Sequence, residues 1–224
     1  MKVLQILPQL NIGGVERGTL DLSKALIQKG HESFVISGGG ILVDELIQCG
    51  AKHYEVPVHI KSLRTLSLAK SLSETISSID PDIVHVRSRM PAWVNFRAFK
   101  MLQKKPLLVS TFHGLYSFPI YSKVMSFVDH SIAISKTVEK YILQNYKLGK
   151  NDITVIPRGC DPAEFNNDGI NPDDKANIIN EFPQIVGKKV LTIPGRITKW
   201  KGVAEFIELL SLLDDNYHGL IVGP

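Results

Sequence analysis

Gly13 and Gly14 stand between a short apolar run, Val3-Leu4-Gln5-Ile6-Leu7, and a segment whose apolar residues recur at helical spacing through Val15, Leu22 and Leu26. A strand, a glycine turn and a helix in that order can hold an anion. Glycine permits positive φ and close approach of the backbone, and the first helical amides lack internal partners at the positive end of the helix dipole. The alternative is a tight turn that only packs helix on strand. The dinucleotide fingerprint Gly-x-Gly-x-x-Gly is not met, because the next glycine is Gly18. The second strand ends in Ser37-Gly38-Gly39-Gly40, where a dinucleotide enzyme carries an acidic residue for the ribose. An NAD-dependent oxidoreductase is thereby set aside.

His113 precedes Gly114 at the end of the apolar run Pro106 to Thr111. An imidazole there can donate or accept a hydrogen bond near neutral pH and can polarise a hydroxyl. Arg87 follows Ile83-Val84-His85-Val86, Ser135 follows Ser131-Ile132-Ala133-Ile134, and Arg158 follows Ile153-Thr154-Val155-Ile156-Pro157. His85 lies within its run and reads as a packing residue. Glu16 and Arg17 directly follow the glycine pair and read equally as ligand contacts or as a helix-start ion pair. Cys49 and Cys160 are too few and too isolated for a disulfide framework, and no metal site is expected.

These residues need strands to carry them. Runs at residues 3–7, 33–37, 52–56, 83–86, 106–111, 131–134 and 153–156 read as strands, and helical spacing separates most of them, as in residues 62–79 through Leu68, Leu72, Ile76 and Ile79. Such alternation calls for an α/β fold, a doubly wound, Rossmann-like parallel sheet covered on both faces. Ligands bind such sheets outside the carboxyl ends of the strands, so Gly13, Gly14, Arg87, His113, Gly114, Ser135 and Arg158 are expected around one crevice. Residues 1–161 form this domain in the sequence reading. Residues 162–187, rich in Asn, Asp and Pro, read as a linker with a short helix. At 188–224 the pattern restarts with a strand, the turn Pro194-Gly195-Arg196-Ile197, a helix led by Lys201-Gly202 and the start of another strand, which reads as the opening of a second domain.

The 224 residues are 44% hydrophobic and 21% charged, an ordinary globular balance, and no apolar run is long enough to span a membrane. The start runs directly into a strand broken by Pro8, unlike a secretory signal, so a cytoplasmic protein is expected. The net charge of +4 fits an anionic substrate or an anionic membrane surface. No basic tract with interleaved aromatics points to nucleic acid.

The ordered set Asn11-Ile12-Gly13-Gly14-Val15-Glu16-Arg17, Pro81-Asp82-Ile83-Val84-His85, Thr111-Phe112-His113-Gly114, Ile132-Ala133-Ile134-Ser135, Val155-Ile156-Pro157-Arg158-Gly159-Cys160-Asp161 and Gly195-Arg196-Ile197 with Lys199-Trp200-Lys201-Gly202 resembles glycosyltransferase family 4 (group 1). The resemblance implies the GT-B fold, two Rossmann-like domains facing each other across a cleft. It implies retaining transfer of a sugar from a nucleotide-diphosphate donor to a glycan, lipid-linked or small-molecule acceptor, as in lipopolysaccharide or other cell-envelope glycan synthesis. The nucleotide sugar is then a substrate, and no cofactor or metal is implied. His113 matches the family's histidine near the reacting sugar. Arg196 and Lys201 match the basic pair on the donor diphosphate, whose developing charge they stabilise. Gly13 and Gly14 form the opposite lip, while Glu16, Arg17, Arg87, Ser135 and Arg158 are expected beside the acceptor or cleft.

Two departures stand out. Arg158 occupies a position where the family commonly has asparagine. The family's donor segment with two glutamates lies beyond residue 224, so this chain alone is expected to be inactive or nearly so. Lys61, Arg64, Lys100, Lys104, Lys105 and Lys123 accompany the loop Leu115-Tyr116-Ser117-Phe118-Pro119-Ile120-Tyr121, which implies either peripheral contact with the anionic inner face of a membrane or an ordinary solvated surface over an acceptor loop. The alternatives to transfer are a sugar-nucleotide epimerase of the same architecture and a non-catalytic nucleotide- or glycan-binding module.

Overall fold

The computed structural model describes residues 1–60, 63–116, 119–162 and 170–223, apart from the side chains of Leu63, Arg64, Leu66, Pro119 and Trp200. Lys61, Ser62, Ser117, Phe118 and residues 163–169 therefore fall outside the described residues, with the parts of the expected helix, aromatic loop and linker that they form. The chain divides into two compact units, Met1–Gly159 and Cys160–Pro224.

In the first unit, β1 (Lys2–Ile6), β2 (Glu32–Ser37), β3 (Lys52–Glu55), β4 (Ile83–Val86), β5 (Leu107–Phe112), β6 (His130–Ala133) and β7 (Ile153–Val155) form one sheet in the order β3-β2-β1-β4-β5-β6-β7. All neighbouring pairs are parallel, with Leu4 opposite Phe34 on one side and Val84 on the other. The expected doubly wound parallel sheet is thus present. Its strand order reverses between β1 and β4, the position where such sheets open a crevice.

Side chains alternate across the sheet because the strand repeat is two residues. Leu4, Ile6, Phe34 and Ile36 join one core with Leu72 and Ile76 of α3 (Ala69–Ile79) and Ala92, Val94 and Ala98 of α4 (Arg89–Phe99). Val35 and Leu7 join the other core with Leu20 of α1 (Gly14–Gln28) and Leu46 of α2 (Val43–Gln48).

Gln5 takes an α1-facing position in the middle of β1 and is fully buried. A buried amide must find partners. Gln5 Nε2 donates to Thr19 O at 3.1 Å and to Ser23 Oγ at 3.0 Å, and Ser33 Oγ of β2 donates to Ser23 Oγ at 2.9 Å. The fully buried face of α1 is accordingly Thr19, Leu20 and Ser23, while the expected stripe of Val15, Leu22 and Leu26 is only half-buried. The polar needs of Gln5 displace the apolar stripe from the sheet-facing position.

Two other elements differ from the sequence expectation. The helical pattern at 62–79 resolves into a 3₁₀ turn over Leu63–Leu68 followed by α3. Thr65 Oγ1 donates to Ile60 O at 2.6 Å, a side-chain bond back to the preceding turn that accompanies the tighter winding. The aromatic stretch expected as loop holds α5 (Pro119–Ser122) and a 3₁₀ turn at Lys123–Ser126, against which Trp93 Nε1 donates to Tyr121 O at 2.9 Å.

After α6 (Lys136–Asn145) and β7 the first unit ends. The second unit holds α7 (Pro172–Glu181), then β8 (Lys189–Pro194), α8 (Val203–Ser211) and β9 (Tyr217–Val222), with β8 and β9 parallel.

Gln5→Leu keeps the side-chain bulk but strands the groups that the amide satisfies. A loss of about 3 kcal/mol is expected, read as a lower urea midpoint at unchanged m-value. A midpoint equal to the wild type would show that these groups find water or other partners.

Candidate functional site

The strand carboxyl ends gather the candidate residues of the first unit. Arg87 follows β4, His113 follows β5, Ser135 lies two residues past β6 and Arg158 three past β7. Gly13 precedes α1, directly after the β1 strand and its loop.

The glycine turn is built differently from the expectation of positive φ. Gly13 is extended, at φ 167°, and Gly14 opens α1 with no atom within 4 Å of where a Cβ would stand. Positive φ is used one loop later, at Gly39 (77°) and Gly40 (138°). A Cβ on Gly40 would collide with the Leu10 carbonyl, and Leu10 N donates to Gly39 O at 2.7 Å. The triglycine loop thus buttresses the glycine turn from behind.

Arg87 is 5% exposed. Its Nη1 donates to Gln5 Oε1 at 2.7 Å, the third partner of the buried amide, while its Nε is buried without one. Burial, and then the charge of Arg158, lower the Arg87 pKa to about 10, and Asp21 and Glu16 act in the opposite direction. The guanidinium remains charged at neutral pH.

Arg158 Nη2 lies 3.2 Å from His113 Nδ1. The same guanidinium fills space against Gly18, where a Cβ would overlap Nη1 and stand 2.8 Å from Cζ. In the sheet order β7 and β1 are separated by β4, β5 and β6, which at ~4.8 Å per strand is beyond the reach of any arginine. The chain past β7 therefore folds back over the carboxyl ends to place Arg158. Arg158 is exposed by surface area, yet enough protein surrounds its head to lower its pKa.

His113 is half-buried, and its Nε2 is enclosed without a partner. Burial, then the cations of Arg87 and Arg158, push its pKa down to about 3, so the ring is neutral at physiological pH. Its backbone N donates to the Tyr116 hydroxyl at 3.5 Å. His85, expected to pack, is buried in β4 with Nε2 2.7 Å from Thr111 Oγ1, and burial holds its pKa well below the ordinary value.

The remaining candidates have other partners. Arg17 pairs with Asp21 at 3.3 Å and Glu45 at 3.6 Å, the ion-pair alternative of the sequence reading. Glu16 folds back over Gly13. Ser135 Oγ accepts from Val138 N at 3.2 Å as the N-cap of α6. In the second unit Arg196 and Lys201 are exposed, and Lys201 lays its stem against Gly195, with Cδ and Cε 3.8 Å from where a Cβ would be. Gln5 and Gly18 are the residues that sequence reasoning missed. The one available signal was a glutamine inside an otherwise apolar strand.

A cavity of about 510 Å³ lined by Asp80, Pro81 and Pro106 lies at the amino ends of β4 and β5, away from this constellation. Among the described residues no group of three or more His, Cys, Asp or Glu is arranged to hold a metal ion.

The sequence model of Glycosyltransferase Family 4 matches residues 12–164. One of the subunits of the phosphatidylinositol N-acetylglucosaminyltransferase of Homo sapiens is 25% identical over 187 residues, covering 75% of this chain and 38% of that protein. The crystal structure of a glycosyltransferase from Rickettsia africae superposes with a TM-score of 0.83 at 34% identity, covering 99% of this chain and 60% of that one. The Anabaena protein HepE, in complex with UDP and glucose, gives 0.80 at 17% identity and 60% of its length, a likeness of fold. The chain thus spans 38% to 60% of the length of these relatives.

Because the folded-state pKa of His113 lies below its ordinary value near 6.5, the unfolded chain takes up this proton first as pH falls. The stability contributed by the neutral ring is complete above about pH 6.5 and drains away toward about pH 3. His113→Gln, which keeps an acceptor for Arg158, should show a shallower fall of the urea midpoint across that window. Parallel falls in variant and wild type would exclude a depressed His113.

Proposed function

The chain belongs to glycosyltransferase family 4, and from that membership we propose that the protein transfers a sugar from a nucleotide-diphosphate donor to a glycan, lipid-linked or small-molecule acceptor with retention of anomeric configuration. The observation that carries this reading is the ring of His113: neutral, held at a strand's carboxyl end, with an enclosed nitrogen that lacks a partner. A neutral imidazole donor suits a sugar hydroxyl, which satisfies it without bringing charge into a region that already holds Arg87 and Arg158.

In the proposed reaction the bond from the anomeric carbon to the diphosphate oxygen breaks as the acceptor oxygen bonds to the same carbon. The acceptor's proton leaves with the nucleoside diphosphate or to solvent. Negative charge grows on the departing phosphate, so fixed cations act more strongly on the transition state than on the ground state. Arg196 and Lys201 of the second unit take that role in this reading, and in the first unit Gly13 and Gly14 offer the opening amides of α1 as an anion contact. Arg87, already bonded to Gln5, and Ser135, already capping α6, act by shaping the acceptor side.

The nucleotide sugar is a substrate, and the reading calls for no resident cofactor. A lipid-linked acceptor would bring the protein to the inner face of a membrane as a peripheral visitor. No helix among the described residues is long and apolar enough to cross one, and Leu115 and Ile120 are exposed at 60% and 89% beside Lys123.

Incubating a protein in which this chain is continued by the family's donor segment with a panel of nucleotide sugars and candidate acceptors, with products read by mass spectrometry and anomeric NMR, tests the proposal, while the 224-residue chain alone is expected to give little or no product. A retained-configuration glycoside is expected, with His113→Ala lowering its rate on the order of 10²-fold. An epimerised nucleotide sugar, an inverted linkage or nucleotide binding without turnover would overturn it.

A further inference from the structure

A guanidinium carries donors and no acceptor. With Arg158 Nη2 3.2 Å from His113 Nδ1, that nitrogen has to accept, and a neutral imidazole accepting at Nδ1 bears its proton on Nε2. The ring nitrogen without a partner is therefore an N–H donor.

The seat of Arg158 is equally specific. Gly18 lies inside α1 and is not among the positive-φ glycines, so the backbone does not ask for glycine there. Glycine is the poorest helix former after proline. What the missing Cβ provides is room for Arg158, whose Nη1 and Cζ occupy that space. The head of Arg158 thus lies between α1 and the end of β5, with one nitrogen toward each.

We infer that Arg158 is a positioning residue that holds His113 as the Nε2–H tautomer in a single ring orientation, and that Gly18 is the notch in α1 that seats its guanidinium. The inference deepens the proposed role of His113 but concerns the ring alone. The charged and titratable groups around that ring are His85 from β4, Arg87 directly after it, Arg158 from beyond β7 and the Tyr116 hydroxyl at the His113 amide, with Glu16 and Asp21 of α1 acting on the two arginines.

Long-range ¹H–¹⁵N spectra of the histidine-labelled 224-residue chain read the tautomer directly and need no substrate. In the wild type a single Nε2–H form is expected at neutral pH. Arg158→Met should give averaged ring shifts and move the His113 titration upward, because a donor and a cation are both removed. Gly18→Ala should melt at or above the wild-type temperature, since alanine favours the helix and only the far end of a flexible side chain must move, yet it should lose the single tautomer. Arg158→Lys, whose ammonium also donates and cannot accept, should keep the titration low and retain the Nε2–H form, with the ring orientation less restricted because the planar fork is lost.

An Nδ1–H form in the wild type, or ring shifts and titration unchanged in Arg158→Met, would overturn the positioning role. Unchanged ring shifts in Gly18→Ala alone would overturn the notch. Either failure would leave the transfer reaction standing, and an absent transfer product would leave the tautomer assignment standing.

Discussion

The side-chain amide of Gln5 is the constraint on which the first unit depends. It sits fully buried in an interior strand of a sheet covered on both faces, and its bonds come from the protein. Thr19 and Ser23 supply two acceptors and Arg87 supplies a donor. Through these bonds one residue brings α1 onto β1 by its polar face, ties in β2 by way of Ser33, and fixes the guanidinium that follows β4. The glycine turn and the first arginine of the site take their positions on either side of the strand-order reversal from the same amide.

The site holds the buried cation of Arg87, and its histidine is neutral chiefly because it is enclosed. Burial dominates the lowering of the His113 pKa, and the two arginines add to it. Glu16 and Asp21 temper the arginines and so keep like charges in one small region tolerable. A ring held neutral in this way acts as a hydrogen-bond donor of fixed direction rather than as a reservoir of protons near physiological pH. In the proposed reading such a donor meets a sugar hydroxyl and adds no further charge to the region of Arg87 and Arg158.

The sheet could be read from sequence because its strands are continuous apolar runs separated by helical spacing, a pattern that only a parallel sheet buried on both faces needs. The crevice residues followed from that topology, since Arg87, His113, Ser135 and Arg158 each stand just beyond a strand. Some of their connections were legible too: a serine directly before a helical pattern reads as its cap, as Ser135 is, and an ion pair is one of the two readings of Arg17. The partnership of Arg158 with His113 requires the chain beyond the last strand to return across the sheet, and no periodicity records such a return. Gly18 was invisible for the same reason: it looks like a small residue in a helix, and its meaning lies in an arginine from the far edge. The glycine pair was found for its composition, but its conformational demand belongs to Gly39 and Gly40.

The returning segment also sets an order of assembly. His113 and Arg158 are 45 residues apart, and the guanidinium's seat is in the first helix, so this is among the last contacts that loop closure allows the unit to form. Synthesis runs in the same direction: β1, α1 and the histidine leave the ribosome well before the arginine that orients it. A nascent chain can therefore hold most of the sheet while its imidazole is still free to exchange tautomers. The donor acquires its direction only when the final turn of the unit has closed over the top.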